Sequence, residues 1–151
     1  MIRRATNADV EALAELRFAL WPDEPLAVRR AEAEANVART DGGLVAFLAV
    51  DNDEVAGFAE ASLRRDYVNG CETSPVAFLE GIFVRPEQRR CGVGRALVAA
   101  AEEWGRAQGC RELASDAQLA NDASRGFHGR AGFEETARVV YFRKVLVEAE
   151  A

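Results

Sequence analysis

Residues Val76 to Ala107 constrain the fold more tightly than any other part of the chain. Val76-Ala77-Phe78-Leu79-Glu80-Gly81-Ile82-Phe83-Val84 reads as a strand, and Val93 to Ala107 as a helix with Leu97, Ala101 and Trp104 along one face. Between them lies an arginine-rich glycine turn, Arg85-Pro86-Glu87-Gln88-Arg89-Arg90-Cys91-Gly92. A strand, a glycine turn and a helix start make a ready anion site. The free N–H groups of the first helical turn converge there, the helix dipole adds partial positive charge, and glycine lets the backbone come close. A P-loop requires a lysine after its second glycine, and none follows. A dinucleotide fingerprint requires a third glycine where this chain has Leu97. The pattern R/Q-x-x-G-x-G/A behind a strand ending in Val-x-Pro fits every position from Val84 to Gly94.

The other elements assemble around this unit. Thr6-Asn7-Ala8-Asp9 reads as a capping box opening a helix striped by Val10, Leu13, Leu16 and Leu20 and stopped at Pro22. A second helix is expected over Leu26–Ala38. Leu44–Val50 and Val55–Leu63 form a hairpin across the turn Asp51-Asn52-Asp53. The polar stretch Arg64 to Pro75 is long for a hairpin loop, and long loops in compact domains are often functional. Cys110–Ser115 reads as a strand, Ala120–Arg130 as a helix, and Phe133–Thr136 and Val139–Leu146 as two closing strands, with a frayed tail over 147–151. The order β, α, α, β, β, β, α, β, α, β, β implies a mixed sheet carrying helices, an α/β (α+β) layer fold, in one domain over residues 1–146.

Composition narrows the function. The longest apolar run, Leu44 to Val50, is far shorter than the ~20 residues of a membrane span, and Met1-Ile2-Arg3-Arg4 opens directly into charged sequence. Cys71, Cys91 and Cys110 are odd in number and lack paired spacing, which fits a reduced, cytoplasmic protein. With one histidine and no CxxC, no metal site is expected. The net charge of −6 without a dominant basic patch argues against a nucleic-acid partner. The 85–95 basic cluster could meet an anion and acidic positions elsewhere a cation, although net acidity also serves solubility.

At the glycine turn the chain resembles the GCN5-related N-acetyltransferases, the GNAT superfamily, over nearly its whole length. The second signature is the Asn-led helix of Asn121 to Phe133, ending in Ala131-Gly132-Phe133. The resemblance implies the GNAT acyl-CoA N-acyltransferase fold, with the pyrophosphate of acetyl-CoA held by the amides of Arg90, Cys91, Gly92, Val93, Gly94 and Arg95, helped by Arg89. Ile82, Phe83, Val84 and Asn121 complete that cofactor set. Further stretches resemble one group within it, the aminoglycoside 6′-N-acetyltransferases: Trp21-Pro22, Asp66 to Gly70, Phe78 to Val84, Ala114-Ser115-Asp116 and Gly132 to Thr136. That likeness implies a homodimer whose Tyr67–Glu72 loop reaches the partner's pocket. It makes Trp21 and Tyr67 pocket walls. Members of that group often carry an acidic residue where this chain has Ala137, which removes one expected amine contact.

The residues also argue for themselves. Glu80 interrupts an apolar strand, where a buried carboxylate without a partner costs several kcal/mol, and Gly81 beside it permits a bulge. Asp116 follows the next strand at its carboxyl end, where ligands of open α/β sheets collect. With Glu72, these carboxylates would make an anionic pocket suited to an aminoglycoside's ammonium groups. Another polyamine would suit it equally, and a protein N-terminus or a non-catalytic acyl-CoA sensor are further alternatives. Glu80 could instead pair with an arginine, and Asp116 could serve as a cap. For catalysis, Asp116 is the first candidate base and Glu80, through water, the second, with amides around Phe83 as oxyanion donors. Where many GNATs carry a tyrosine acid, the chain has His128, expected to be a packing residue. A Cys91 acyl-enzyme is disfavoured because that thiol would lie at the phosphates.

Overall fold

A computed structural model describes residues 1–147. The Asp9 carboxylate accepts from the Thr6 N–H at 2.7 Å, the expected closure of the first turn, although that turn is 3-10 over Asn7–Asp9. The elements are β1 (Ile2–Arg4), α1 (Val10–Leu20), α2 (Leu26–Ala38), β2 (Leu44–Asp51), β3 (Glu54–Arg64), β4 (Val76–Val84), α3 (Val93–Ala107), β5 (Leu113–Ser115) and α4 (Asp122–Arg130). The strands lie in the order β1-β2-β3-β4-β5, antiparallel throughout except for the parallel β4–β5 pair.

Successive strand residues face opposite sides of the sheet, and both sides are covered. Phe47, Ala59 and Leu79 pack with Leu97, Ala101 and Trp104 of α3. Leu48 and Phe58, one residue along, pack on the other face with Leu13 and Leu16 of α1 and Ala33 of α2. Double coverage explains why β2 and β4 read as near-continuous apolar runs.

Two departures in the sheet create the site. In the β3–β4 register, Glu60 pairs with Gly81 and Ala61 with Leu79, so Glu80 is an extra, bulged residue. On the other side, β5 accompanies β4 only to the pair Leu79–Ser115. Beyond it, Glu80 to Val84 run on without a strand neighbour on that side among the described residues, and the sheet splays.

The structure corrects several boundaries. β5 starts at Leu113 rather than Cys110, and α4 at Asp122 with Asn121 as its cap. The closing strands expected at 133–136 and 139–146 do not form: residues 133–147 carry no helix or strand. Val140, Tyr141, Phe142 and Leu146 stand 76–93% exposed, so the strand-like apolar pattern is present but finds no ladder among the described residues. Of the expected tail, Val147 is exposed and residues 148–151 lie outside the described part.

Candidate active site

The splay of β4 from β5 opens a cavity of about 360 Å³, lined by Trp21, Glu80, Ile82, Ser115, Asp116 and His128 among others. Asp116, the residue after β5, is exposed, and among the described residues it makes no hydrogen bond or ion pair. Glu80 is different. The bulge turns it to the cavity, yet Arg64 Nη2 reaches both its oxygens, at 2.9 and 3.0 Å, and Ser62 Oγ donates as well. Arg64 in turn lies 3.5 Å over the Phe78 ring. The arginine partner considered for Glu80 is therefore present, and Asp116 is the freer of the two carboxylates.

Asn121 lines the same cavity while its Oδ1 accepts from the Ser124 N–H at 3.0 Å, capping α4. His128, expected only to pack, also reaches the cavity. Its Nδ1 lies 2.7 Å from the Ser124 carbonyl, a contact only an N–H can make, so in the neutral ring Nε2 accepts from Ser115 Oγ at 2.8 Å. Trp21 forms a wall because Gly81 makes room: a Cβ there would sit 2.5 Å from the indole.

At the glycine turn, Gly92 caps α3 with φ +81°, a left-handed conformation that glycine adopts without strain. Among the described residues, the N–H groups of Arg90 to Arg95 have no backbone acceptor. This is the arrangement an anion at a helix start needs. A Cβ on Gly92 would meet nothing within 4 Å, whereas one on Gly94 would lie 2.8 Å from Phe127. The first glycine thus serves the turn and the second the packing of α3 on α4. Arg89 is committed to the strand end through Val84 O at 2.8 Å, and Arg95 to Arg130 O at 3.0 Å. Arg90, at φ +64°, and Cys91 are exposed at the turn.

The register also decides which strand amides are available. Arg85 N donates to Ala56 O, and the alternation of an antiparallel ladder places Phe83, two residues back, on the same side. The N–H groups of Ile82 and Val84 therefore point toward the splayed side, and that of Phe83 toward β3. Of the amides around Phe83, those of Ile82 and Val84 thus face the open side.

Tyr67 and Glu72 do not join this constellation. Tyr67 is 79% exposed on its loop. Glu72 lines a second cavity of about 580 Å³ beside the outer edge of β5. There the Glu112 carboxylate anchors the loop through the N–H groups of Glu72 and Thr73 at 2.9 and 2.8 Å. The hydroxyl of Thr73 leads the contacts that hold the Glu112 carboxyl below its usual range. The sequence places Ser115 only within the stretch Ala114-Ser115-Asp116 and assigns it no role. Its only signal was a hydroxyl preceding Asp116 at a strand end, which reads as an ordinary small strand residue.

The acetyltransferase (GNAT) family matches residues 8–133. The chain belongs to the GNAT family. A relative from Stenotrophomonas maltophilia, aminoglycoside N(6′)-acetyltransferase type 1, is 50% identical over 147 residues, covering 96% of this chain and 93% of its own. Among solved structures, AAC(6′)-Iy in complex with the bisubstrate analogue CoA-S-monomethyl-acetylneamine superposes with a TM-score of 0.90 at 45% identity, covering 96% and 97% of the two chains. The apo 6′-N-acetyltransferase AAC(6′)-Ig from Acinetobacter haemolyticus gives 0.91 at 41%, covering 97% and 99%. Among the described residues of this GNAT chain, no three His, Cys, Asp or Glu side chains gather as for a metal, and no helix is long and apolar enough to cross a membrane.

Proposed function

We infer that the protein transfers an acetyl group from acetyl-CoA to the 6′-amino group of an aminoglycoside and thereby confers resistance to it. The observation that carries this reading is a pair of features at one splay: unpartnered amides at the start of α3, and the carboxylates of Asp116 and Glu80 beside the open edge of β4. The relatives at 41–50% identity carry the same activity in their names.

The Arg90–Arg95 amides would hold the pyrophosphate, with Arg90 the arginine least committed elsewhere. The coenzyme supplies a thioester, an acetyl donor with a good leaving group. Asp116 and Glu80 draw the acceptor's ammonium groups into the cavity, with Trp21 as a wall. An ammonium has no lone pair, so a proton must leave before or during attack. Asp116, free of competing partners, takes it directly or through water, and Glu80 assists electrostatically while Arg64 tempers its charge. The Ile82 or Val84 N–H, aimed at the splayed side, stabilises the oxygen that gains charge. Attack by the amine within a ternary complex needs no acyl-enzyme, and Cys91 lies at the phosphate turn rather than in the acceptor cavity.

A homodimer is supported by the exposed apolar side chains of Val139, Val140, Tyr141, Phe142, Val145, Leu146 and Val147, which together leave a large hydrophobic surface in water. Tyr67, exposed on its loop, would meet the partner. A cytoplasmic setting is supported by the free state of all three cysteines and by the dependence on a coenzyme A thioester.

Incubation with kanamycin, acetyl-CoA and a thiol reagent tests the assignment. Wild type should release thiol only when the aminoglycoside is present. Asp116→Ala should lower kcat/KM by about 10²- to 10⁴-fold, while Gly92→Asp, which puts a negative charge into the phosphate turn, should act on the KM for acetyl-CoA. Thiol release that ignores the aminoglycoside, or an Asp116→Ala enzyme of full activity, would reject the reading.

A further inference from the structure

A chain of charges, buried at Glu60, Arg17 and Arg29 and reaching the surface at Asp23, lies behind the acceptor cavity. Glu60, 1% exposed, accepts from Arg17 Nη1 and, at 2.7 Å, from Asn36 Nδ2. Arg17 Nη2 also reaches Glu32. Arg29 Nη1 donates to both Glu32 oxygens at 2.9 and 3.0 Å, and Arg29 Nη2 to Asp23 at 2.8 Å. The network thus links β3, α1 and α2 and ends in the turn that carries Trp21.

Both of its arginines also contact that residue. Arg29 Nε donates to the Trp21 carbonyl at 2.9 Å. The guanidinium carbons of Arg17 and Arg29 lie 4.9 and 5.8 Å from the indole centroid. Phe58 meets the ring edge-on at 6.2 Å, and Gly81, the register partner of Glu60, gives the indole its seat on β4.

Stability does not require this design. Buried ion clusters are commonly no more stabilising than apolar side chains of the same volume, and Arg17 Nε is buried here without any acceptor. What planar, multiply bonded guanidiniums add over leucine or methionine is direction. We propose that the cluster is a positioning device. Arg29, braced by Glu32 and Asp23, and Arg17, held by Glu60, lock the Trp21 indole against Gly81 and so fix the acceptor wall without touching the acceptor. The proposal rests on reading that cavity as the aminoglycoside site.

The test uses full-length enzyme carrying Trp104→Phe, which leaves Trp21 as the sole indole emitter. Arg29→Met should raise the KM for kanamycin about tenfold, leave the KM for acetyl-CoA within about twofold, and make Trp21 clearly more accessible to acrylamide quenching. Arg29→Lys should recover part of both effects. Glu32→Gln, which loosens Arg29 without emptying its site, should move both readouts the same way by less, and it stands in should Arg29→Met fail to fold. Unchanged quenching with unchanged kanamycin KM overturns the proposal, as does an equal rise in both KM values, the mark of general loosening. If the parent enzyme acetylates no aminoglycoside, the functional reading fails by itself. The clamp on Trp21 is then judged by quenching, where equal values in parent and Arg29→Met sink it.

Discussion

Around α1 and α2 this chain buries charge, whereas beyond α4 it exposes hydrocarbon. Arg17, Arg29 and Glu60 are at most 8% exposed, while Tyr141, Phe142 and Leu146 are at least 83% exposed. Both regions invert the usual partition, but the remedies differ. In the first, every charge is answered by another from the same chain, so the region is complete in isolation. In the second, the apolar side chains have no answer among the described residues, and a second copy is the proposed one. Damage to the first should therefore appear in the stability of the fold, and damage to the second in assembly.

The sharpest way to break that contrast is at Glu60. Burial pushes its carboxyl above the usual range, against the pull of Arg17 and Asn36. Its charge is tolerable only because those partners are in place. Glu60→Ala leaves Arg17 buried with one partner fewer, and removing one member of a buried pair costs about 3–5 kcal/mol. Urea unfolding should show that loss, and Glu60→Leu combined with Arg17→Met should recover most of it. A cost below about 1 kcal/mol for Glu60→Ala would mean that water already reaches the cluster, and the first region would cease to be distinctive.

The second region is tested by Phe142→Asp. At 93% exposure the side chain contributes little to the fold, so the unfolding of a single chain should shift by no more than about 0.5 kcal/mol. Assembly should respond much more. Burying a phenylalanine contributes about 1.5–3 kcal/mol, and a two-fold dimer uses it twice. Sedimentation equilibrium should show a dimer in wild type and mostly monomer in the variant. A wild type that stays monomeric at tens of micromolar, or a variant that stays dimeric, would show that the exposed run has no partner of this kind.

The same division decides how much could be read from the sequence. The strand–turn–helix unit from Val76 to Ala107 was legible because its signals are local: apolar runs, glycine spacing and a helical stripe. The β4 bulge was legible from Gly81 alone. The closing strands were misplaced for the opposite reason. A strand is stable only in a ladder, and the β-branched and aromatic residues of Val139–Leu146 favour one without supplying it. Likewise, Glu80 and Asp116 could be assigned to one end of the sheet, but not that Arg64 would lie on Glu80. That contact depends on the register of β3 against β4. The pairing of His128 with Ser115 joins residues on α4 and β5, so no spacing rule announces it. Which amides around Phe83 face the open side could not be read either, because it follows from one hydrogen bond, Arg85 to Ala56.

A third charged pair falls between the two extremes and should give the smallest effect. Arg3 grips the Asp9 carboxylate with bonds of 2.7 and 2.9 Å, while the Thr6 N–H and hydroxyl donate to the same group at 2.7 and 3.1 Å. The arginine's hydrogen bond leads in holding the Asp9 carboxyl well below its ordinary range, against the opposing effect of burial. Because the folded value is depressed, the stability it contributes is complete above the ordinary carboxylate pKa of about 4 and fades as pH falls through the folded value. Arg3 remains partly in water and Asp9 acts largely as a cap, so Asp9→Asn should cost only about 1 kcal/mol at pH 7. The gap between wild type and variant in urea unfolding should narrow progressively below about pH 4. A gap that stays constant down to pH 2 would assign the role of Asp9 to shape rather than charge, and would leave the Glu60 cluster as the one region where ionisation and fold are tied together.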